Sequence, residues 1–204
     1  MKLNKLMFRE YDIRGIWNED ITEEISYYIG RAYATKLLSL KKNKMIVGYD
    51  NRLSSPIIEK NLVKGLTDGG VDVVRLGLVT TPMYYYAWDK LNIHCGIMIT
   101  ASHNPKEYNG FKMSYNGIHN CFGNEVAELY YIILNGIYSK GNGSITDANI
   151  KEDYIKMINS HINMGSNKLK VIYDCGNGTT SIVAKDIFVS NDNIEYIPLF
   201  AESD

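Results

Sequence analysis

The stretch that decides the fold is GIMITASHNPKEYNGFKMSYNG, residues 96–117. Its apolar start is typical of a short buried strand, and it ends abruptly at the small and polar residues Thr100 to Pro105. The run GFKMSYNG that follows predicts a second strand, which returns along the first after a short turn. The segment therefore predicts a strand whose carboxyl end presents Ser102, His103 and Asn104 in a tight loop.

Strand and helix patterns alternate around this stretch. Two further strands are predicted upstream, in KNKMIVGYD (residues 42–50) and VDVVRLG (residues 71–77). Each is followed by a helix-start signal, Ser55 after the first and Thr81 after the second, with a proline next in sequence. The alternation predicts an α/β fold with a mixed, mainly parallel sheet sandwiched by helices.

The segment before the first of these strands is polar. Residues 10–20, EYDIRGIWNED, predict an N-terminal loop, and Arg14 lies within it. Asp20, with Glu23 three residues later, resembles a capping box and predicts that a helix starts there.

The chain is predicted to contain one complete domain and the start of another. Residues 1–138 form the domain with the serine loop, and residues 139–150, rich in Gly, Ser and Asn, form a linker. Residues 151–204 read as a βαβ start, which is too small to bury a comfortable core. We expect this incomplete second α/β domain to expose apolar surface and a strand edge, and so to favour self-association.

Composition narrows the class of protein. The 204 residues carry 22 basic and 23 acidic side chains, a net charge of −1, which gives no reason to expect nucleic acid or an anionic membrane as a partner. No apolar run approaches the roughly 20 residues of a membrane span, and the charged N-terminus is not a signal peptide. The three cysteines form no C-x-x-C pair and are typical of reduced thiols, so we expect a cytoplasmic protein without membrane contacts.

Ser102 is the residue with the clearest chemical potential. Ligands of open α/β sheets bind beyond the carboxyl ends of strands, where Ser102 is predicted to lie. The hydrolase pattern G-x-S-x-G is absent, which disfavours a hydrolase. A phosphoserine fits better: it carries about −1.5 to −2 charges, which Asn104, Lys112 and Arg14 can hold.

Four motifs carry a resemblance to a known family. TASHNP (100–105), followed by YNGFK (108–112), resembles the phosphoserine loop of the α-D-phosphohexomutases. FREYDIRG (8–15) resembles the N-terminal signature of their phosphomannomutase/phosphoglucomutase branch. VGYDNRLSSP (47–56) resembles the family's usual strand and loop, and VIYDCGNGTT (171–180) the opening strand of its second domain. The motifs stand in the family's order across most of the chain.

The resemblance implies an activity. Members are isomerases of the phosphotransferase type that interconvert hexose 1-phosphates and hexose 6-phosphates, here of mannose or glucose. Ser102 would pass its phosphoryl group to the substrate, form a hexose 1,6-bisphosphate and take back the other phosphoryl group. Mg²⁺ is the implied cofactor, held through the phosphate of Ser102.

The same resemblance implies roles for the neighbours of Ser102. Lys112 matches a general acid/base or a stabiliser of phosphoryl oxygens, and Arg14 matches an arginine that contacts the transferred phosphoryl group. Tyr11 is expected to line the sugar site. His103 and Asn104 are expected to orient the loop, and His103 is also a candidate for proton transfer.

Parts of the family pattern are absent from these residues. No Asp-x-Asp-x-Asp metal loop and no Gly-Glu-x-Ser-Gly sugar loop occurs. We therefore expect an N-terminal portion of a mutase, inactive by itself, whose remaining metal ligands lie outside this chain. Three alternatives stay open: phosphoglucosamine mutase, whose N-terminus reads more like GTDGIRG, a non-catalytic sugar-phosphate-binding remnant, and a phosphatase.

Overall fold

The computed structural model describes residues 3–117, 119–163 and 165–203. The strands are β1 (Ile13–Ile16), β2 (Lys44–Tyr49), β3 (Asp72–Leu78), β4 (Gly96–Ile99), β5 (Tyr108–Ser114), β6 (Ile145–Asp147), β7 (Leu169–Asp174) and β8 (Ile194–Leu199). The helices are α1 (Glu23–Ser39), α2 (Ser55–Asp68), α3 (Thr81–Leu91), α4 (Asn124–Asn135), α5 (Lys151–Ser160) and α6 (Ser181–Phe188). Among these helices, none is both long and apolar enough to cross a membrane.

Six strands form one sheet in the order β1-β5-β4-β2-β3-β6. The pairs β4-β2, β2-β3 and β3-β6 are parallel, whereas β5 runs antiparallel to both of its neighbours. A second sheet contains only the parallel pair β7-β8. The prediction of an α/β fold with a mixed, mainly parallel sheet is confirmed.

Two apolar cores lie on opposite faces of the six-stranded sheet. Adjacent residues of one strand enter different cores, as Val47 and Ile46 of β2 do, because side chains alternate across a strand. Helices α1, α2 and α4 cover the first face, and α3 covers the second. Ile150 and Val183 join the second core, so the segment after residue 139 packs against the sheet.

The N-terminal segment that was predicted as a loop contains strand β1. The prediction was wrong because an edge strand with one polar and one apolar side does not need a long apolar run. Ile13 is fully buried opposite Phe111 of β5, and Arg14 lies opposite Gly110. Pairing with β5 thus places Arg14 at a fixed position beside the serine loop.

Helix starts differ from the predicted positions by one or two residues. The N-cap of α1 is Thr22, whose hydroxyl accepts a hydrogen bond from the backbone of Ile25 at 3.1 Å. Asp20, predicted as the cap, instead accepts from the backbone N–H of Ile16 at 3.0 Å. The N-cap of α3 is Thr80 rather than Thr81, because the Thr80 hydroxyl accepts from the third helical residue.

The predicted linker contributes a strand. Within residues 139–150, β6 adds to the edge of the large sheet beside β3. Arg75 of β3 donates to Asp147 of β6 at 2.8 Å and secures the register. The domain boundaries themselves stay a prediction.

Apolar side chains are exposed on the small β7-β8 unit. The more exposed ones are Leu169, Ile172, Val189, Leu199 and Phe200. Ile172, in the middle of β7, is 62% exposed, so one face of this strand is uncovered. Self-association through this surface stays a prediction.

Candidate active site

A cavity of about 1260 Å³ lies at the carboxyl ends of β2 and β4. Its walls include the loops after β2 and β3, the serine loop after β4 and residues 176–180, which follow β7. Ser102 and Asn104 line it. The prediction from the strand pattern and the cavity therefore agree on the same edge of the sheet.

The serine loop holds Ser102 in an unusual backbone conformation. Its φ is +58°, in the left-handed region, where a non-glycine residue stores about 1–3 kcal/mol of strain. The backbone N–H of Ser102 donates to the Thr100 hydroxyl at 3.0 Å, and that of Asn104 donates to the Ala101 carbonyl at 3.1 Å. Ser102 is exposed, and its Oγ lies 3.4 Å from Nδ1 of His103.

Arg14 reaches the serine loop from β1. Its Nη1 donates to the Ala101 carbonyl at 3.3 Å and to the Asn104 side-chain oxygen at 2.5 Å. Its Nε and Nη2 both contact one oxygen of the buried Asp12 at 2.8 Å. These contacts use four of the five guanidinium N–H groups, so within the described residues one Nη2 donor is left for an anion.

Gly110 makes this approach possible. A Cβ at that position would lie 2.3 Å from the Ile13 carbonyl oxygen and 3.0 Å from Cγ of Arg14. Only a residue without a side chain lets β1 and Arg14 pass this close to β5.

Among the described residues, the side chains of Lys112 and Tyr11 form no hydrogen bond with the serine loop. Lys112 is half-buried on β5 opposite Met98, and the two share a sheet face. Met98 lines the cavity, whereas Lys112 is not among the lining residues. Tyr11 is 62% exposed and is also outside the cavity wall. The structure therefore joins Arg14 to Asn104 and Ser102 to His103, whereas the described residues show no such side-chain contact for Lys112 or Tyr11. Like these two, Arg14 and His103 do not line the cavity.

Arg52 also contacts the serine loop, although its sequence motif predicted no role for it. It lies in the loop after β2, and its side chain is only 12% exposed. Its guanidinium donates to the carbonyls of Ser102, Asn104, Pro105 and Tyr108 at 2.7–3.0 Å, and to Asp50 at 3.2 Å. The position of Arg52 just after a strand was a usable signal, but its partner loop becomes known only once β2 is placed beside β4.

Asn109 joins the same two loops from inside. It is fully buried, and its amide donates to the hydroxyls of Ser54 and Ser55 at 2.8 and 3.0 Å. Its side-chain oxygen accepts from the backbone N–H of Gly110 at 2.8 Å. Ser55 in turn donates to Asp50 at 2.8 Å, so the start of α2, the loop after β2 and strand β5 form one network.

The loop after β7 closes one side of the cavity through Asn51. The Asn51 side chain donates to the Asn177 carbonyl at 2.9 Å and accepts from the Thr179 hydroxyl at 2.7 Å. The Asn51 backbone N–H donates back to the same hydroxyl at 3.1 Å. Three hydrogen bonds thus hold residues 176–180 against the loop after β2.

The described residues do not fit a complete magnesium centre. They contain no group of three or more His, Cys, Asp or Glu side chains placed to bind one ion. Near Ser102, the Asn104 side-chain oxygen already accepts from Arg14. A phosphorylated Ser102 would supply one ligand.

Comparison with known proteins assigns the family. Residues 5–136 match the family described as phosphoglucomutase/phosphomannomutase, alpha/beta/alpha domain I. The chain belongs to this family. The match contains β1, the serine loop and Arg52, so Arg14, Ser102 and Arg52 all lie within domain I.

Individual members of the phosphoglucomutase/phosphomannomutase family are similar to this chain over most of its length. A phosphomannomutase/phosphoglucomutase of Pseudomonas syringae pv. tomato is 41% identical over 97% of this chain, and a phosphoglucomutase of Neisseria meningitidis serogroup B is 38% identical over 89%. A crystal structure of a family protein from Burkholderia thailandensis superposes on the whole chain with a TM-score of 0.92 at 31% identity. The chain spans 40–42% of the length of these two relatives and 45% of the solved chain.

Proposed function

We propose that this chain is the phosphoserine-bearing part of a hexose-phosphate mutase, with Ser102 as the phosphoryl carrier. The observation that supports it most is the exposed Ser102 hydroxyl, held at the cavity in a left-handed backbone conformation. Beside it, Arg14 has one N–H donor in excess of its protein contacts, and a fixed guanidinium suits a phosphoryl oxygen.

The proposed reaction is a pair of phosphoryl transfers. The bond between phosphorus and Oγ of Ser102 breaks, and phosphorus bonds to the free hydroxyl of a hexose monophosphate. The proton of that sugar hydroxyl is released, and the Ser102 oxygen gains one, so a serine hydroxyl and a hexose 1,6-bisphosphate result. The reverse step at the other phosphate restores phosphoserine and yields the isomer. Lys112 and His103 are the proposed proton carriers.

Substrate class, cofactor and location belong to the same proposal. The EYDIRG signature favours mannose or glucose phosphates over glucosamine phosphates, with Tyr11, Asn104, Arg14 and Lys112 as proposed binding residues. Magnesium, bound in part by the phosphate of Ser102, stays a prediction, as does a cytoplasmic location. Because the chain lacks the sugar and metal motifs of the family, we propose that it accepts a phosphoryl group without completing the isomerisation.

Intact-mass analysis tests the central step. The purified 204-residue chain is incubated with glucose 1,6-bisphosphate, and we expect one added phosphate that maps to Ser102. Ser102→Ala should abolish the gain. Ser160→Ala is the matched control, because Ser160 is an exposed serine whose Oγ lies 3.1 Å from Nδ1 of the next residue, His161. Equal phosphorylation of wild type and Ser102→Ala, or none at Ser102 before and after incubation, contradicts the proposal.

The same assay separates the alternative substrates. Glucose 1,6-bisphosphate and mannose 1,6-bisphosphate should phosphorylate Ser102 faster than glucosamine 1,6-bisphosphate. Preference for the glucosamine compound would favour the phosphoglucosamine mutase alternative. Rapid loss of the phosphate to water without a sugar acceptor would favour a phosphatase.

A further inference from the structure

Arg52 uses every donor that it has on the protein. A guanidinium has five N–H groups, and five contacts are made: four to carbonyls of the serine loop and one to Asp50. Arg14, by comparison, makes four contacts. Arg52 therefore has no N–H left for a substrate unless it releases the loop, although it lines the same cavity.

The contacts of Arg52 span the whole loop. They reach from the Ser102 carbonyl to that of Tyr108, at the first residue of β5, and include Asn104 and Pro105. A rigid planar fork can hold four carbonyls in one arrangement, whereas the single ammonium of a lysine cannot. The loop backbone is thus clamped at both ends by one side chain.

Arg52 is itself anchored to the sheet. Asp50, which is 8% exposed, accepts from the Arg52 side chain, from the Arg52 backbone N–H at 3.2 Å and from the Ser55 hydroxyl. The backbone N–H of Asp50 donates to the carbonyl of Ile99 in β4 at 3.0 Å. Arg52 and Asp50 together therefore connect the serine loop to the ends of the central strands β2 and β4.

We propose that Arg52 is a positioning residue for phosphoryl transfer, acting through the serine loop without contacting the substrate. A strained conformation such as that of Ser102 persists only where the surroundings over-determine it, and the contact to the Ser102 carbonyl helps to do so. The guanidinium also compensates the partial negative charges of four carbonyl oxygens, which would otherwise add negative potential beside an incoming phosphoryl group. This inference rests on the proposed function.

Two measurements on Arg52→Lys test it. The first is the rate of Ser102 phosphorylation by glucose 1,6-bisphosphate. Its maximal rate should fall by at least about tenfold, while the half-saturating concentration of the bisphosphate changes by less than about twofold. This pattern is expected because a group that acts only on the loop affects the transition state and not the binding of the substrate. Amide hydrogen exchange should rise in residues 101–108 and stay unchanged in β2 and β3. Arg75→Lys, which alters an arginine paired with Asp147 outside the site, is the matched control and should change neither quantity.

Each outcome decides a separate point. An unchanged rate, a change confined to the half-saturating concentration, or unchanged loop exchange overturns the role of Arg52. If the wild type takes no phosphate, the proposed function fails, and the exchange measurement alone decides whether Arg52 holds the loop. Should Arg52→Lys not fold, Arg52→Ala is measured with millimolar guanidinium added, and with urea as the uncharged control. Recovery of the phosphorylation rate and of loop protection with guanidinium but not with urea supports the inference. No recovery with guanidinium overturns it.

Discussion

Replacement of Asn109 by alanine should destabilise the protein more than any exposed substitution of the same type. The change removes three hydrogen bonds: two from the Asn109 amide to Ser54 and Ser55, and one to its oxygen from the backbone of Gly110. In the variant, Ser55 keeps its hydrogen bond to Asp50, so the groups that lose Asn109 as a partner are only partly satisfied. At about 1 kcal/mol for each bond, the free energy of unfolding should fall by about 3 kcal/mol.

Urea and thermal denaturation measure this loss. For a chain of this size, about 3 kcal/mol corresponds to a decrease in Tm of about 6–12 °C. Asn61→Ala is the matched control, because the exposed Asn61 amide also donates twice, to Glu23 and to the Ile57 carbonyl. Its effect should stay within about 0.5 kcal/mol. A loss below about 1 kcal/mol for Asn109→Ala would refute the buried network that joins the two loops.

Three further changes have defined outcomes. Burial raises the pKa of the Glu59 carboxyl, so the wild type loses stability as the pH rises from the ordinary glutamate pKa through the raised one. Glu59→Gln cannot ionise and should be more stable than the wild type at pH 7, with the difference smaller at pH 4; urea midpoints that show the reverse order contradict this. Gly110→Ala should force β1 away, because its Cβ would meet the Ile13 carbonyl oxygen at 2.3 Å, and should lower both Tm and the rate of Ser102 phosphorylation; an unchanged rate argues against placement of Arg14 by this contact. Asn51→Ala removes the two side-chain hydrogen bonds to residues 177 and 179, leaves the backbone bond to Thr179, and should raise amide exchange in 175–181 but not in β4; equal exchange would show that other contacts hold that loop.

Local patterns in the sequence determined the succession of strands and helices. Short apolar runs predicted β2, β3 and β4, and the Ser-Pro and Thr-Pro pairs after β2 and β3 predicted the helices that follow them, because side-chain periodicity and helix-start chemistry act over a few residues. The same patterns placed Ser102 after a central strand. Helix starts were less certain by one or two residues, since neighbouring polar side chains such as Thr80 and Thr81 compete for the capping position.

Only the tertiary structure decided what surrounds Ser102. Arg14 contacts the serine loop from 87 to 90 residues away, and Arg52 from 50 to 56 residues away. Residues so far apart in sequence meet in space because the sheet order is β1-β5-β4-β2, and no local sequence pattern encodes that order. An edge strand such as β1 has no long apolar run to reveal it, and an arginine that hydrogen-bonds backbone carbonyls looks in sequence like any solvated arginine. The chain therefore specifies its elements locally, and the positions of its charged groups through strand pairing.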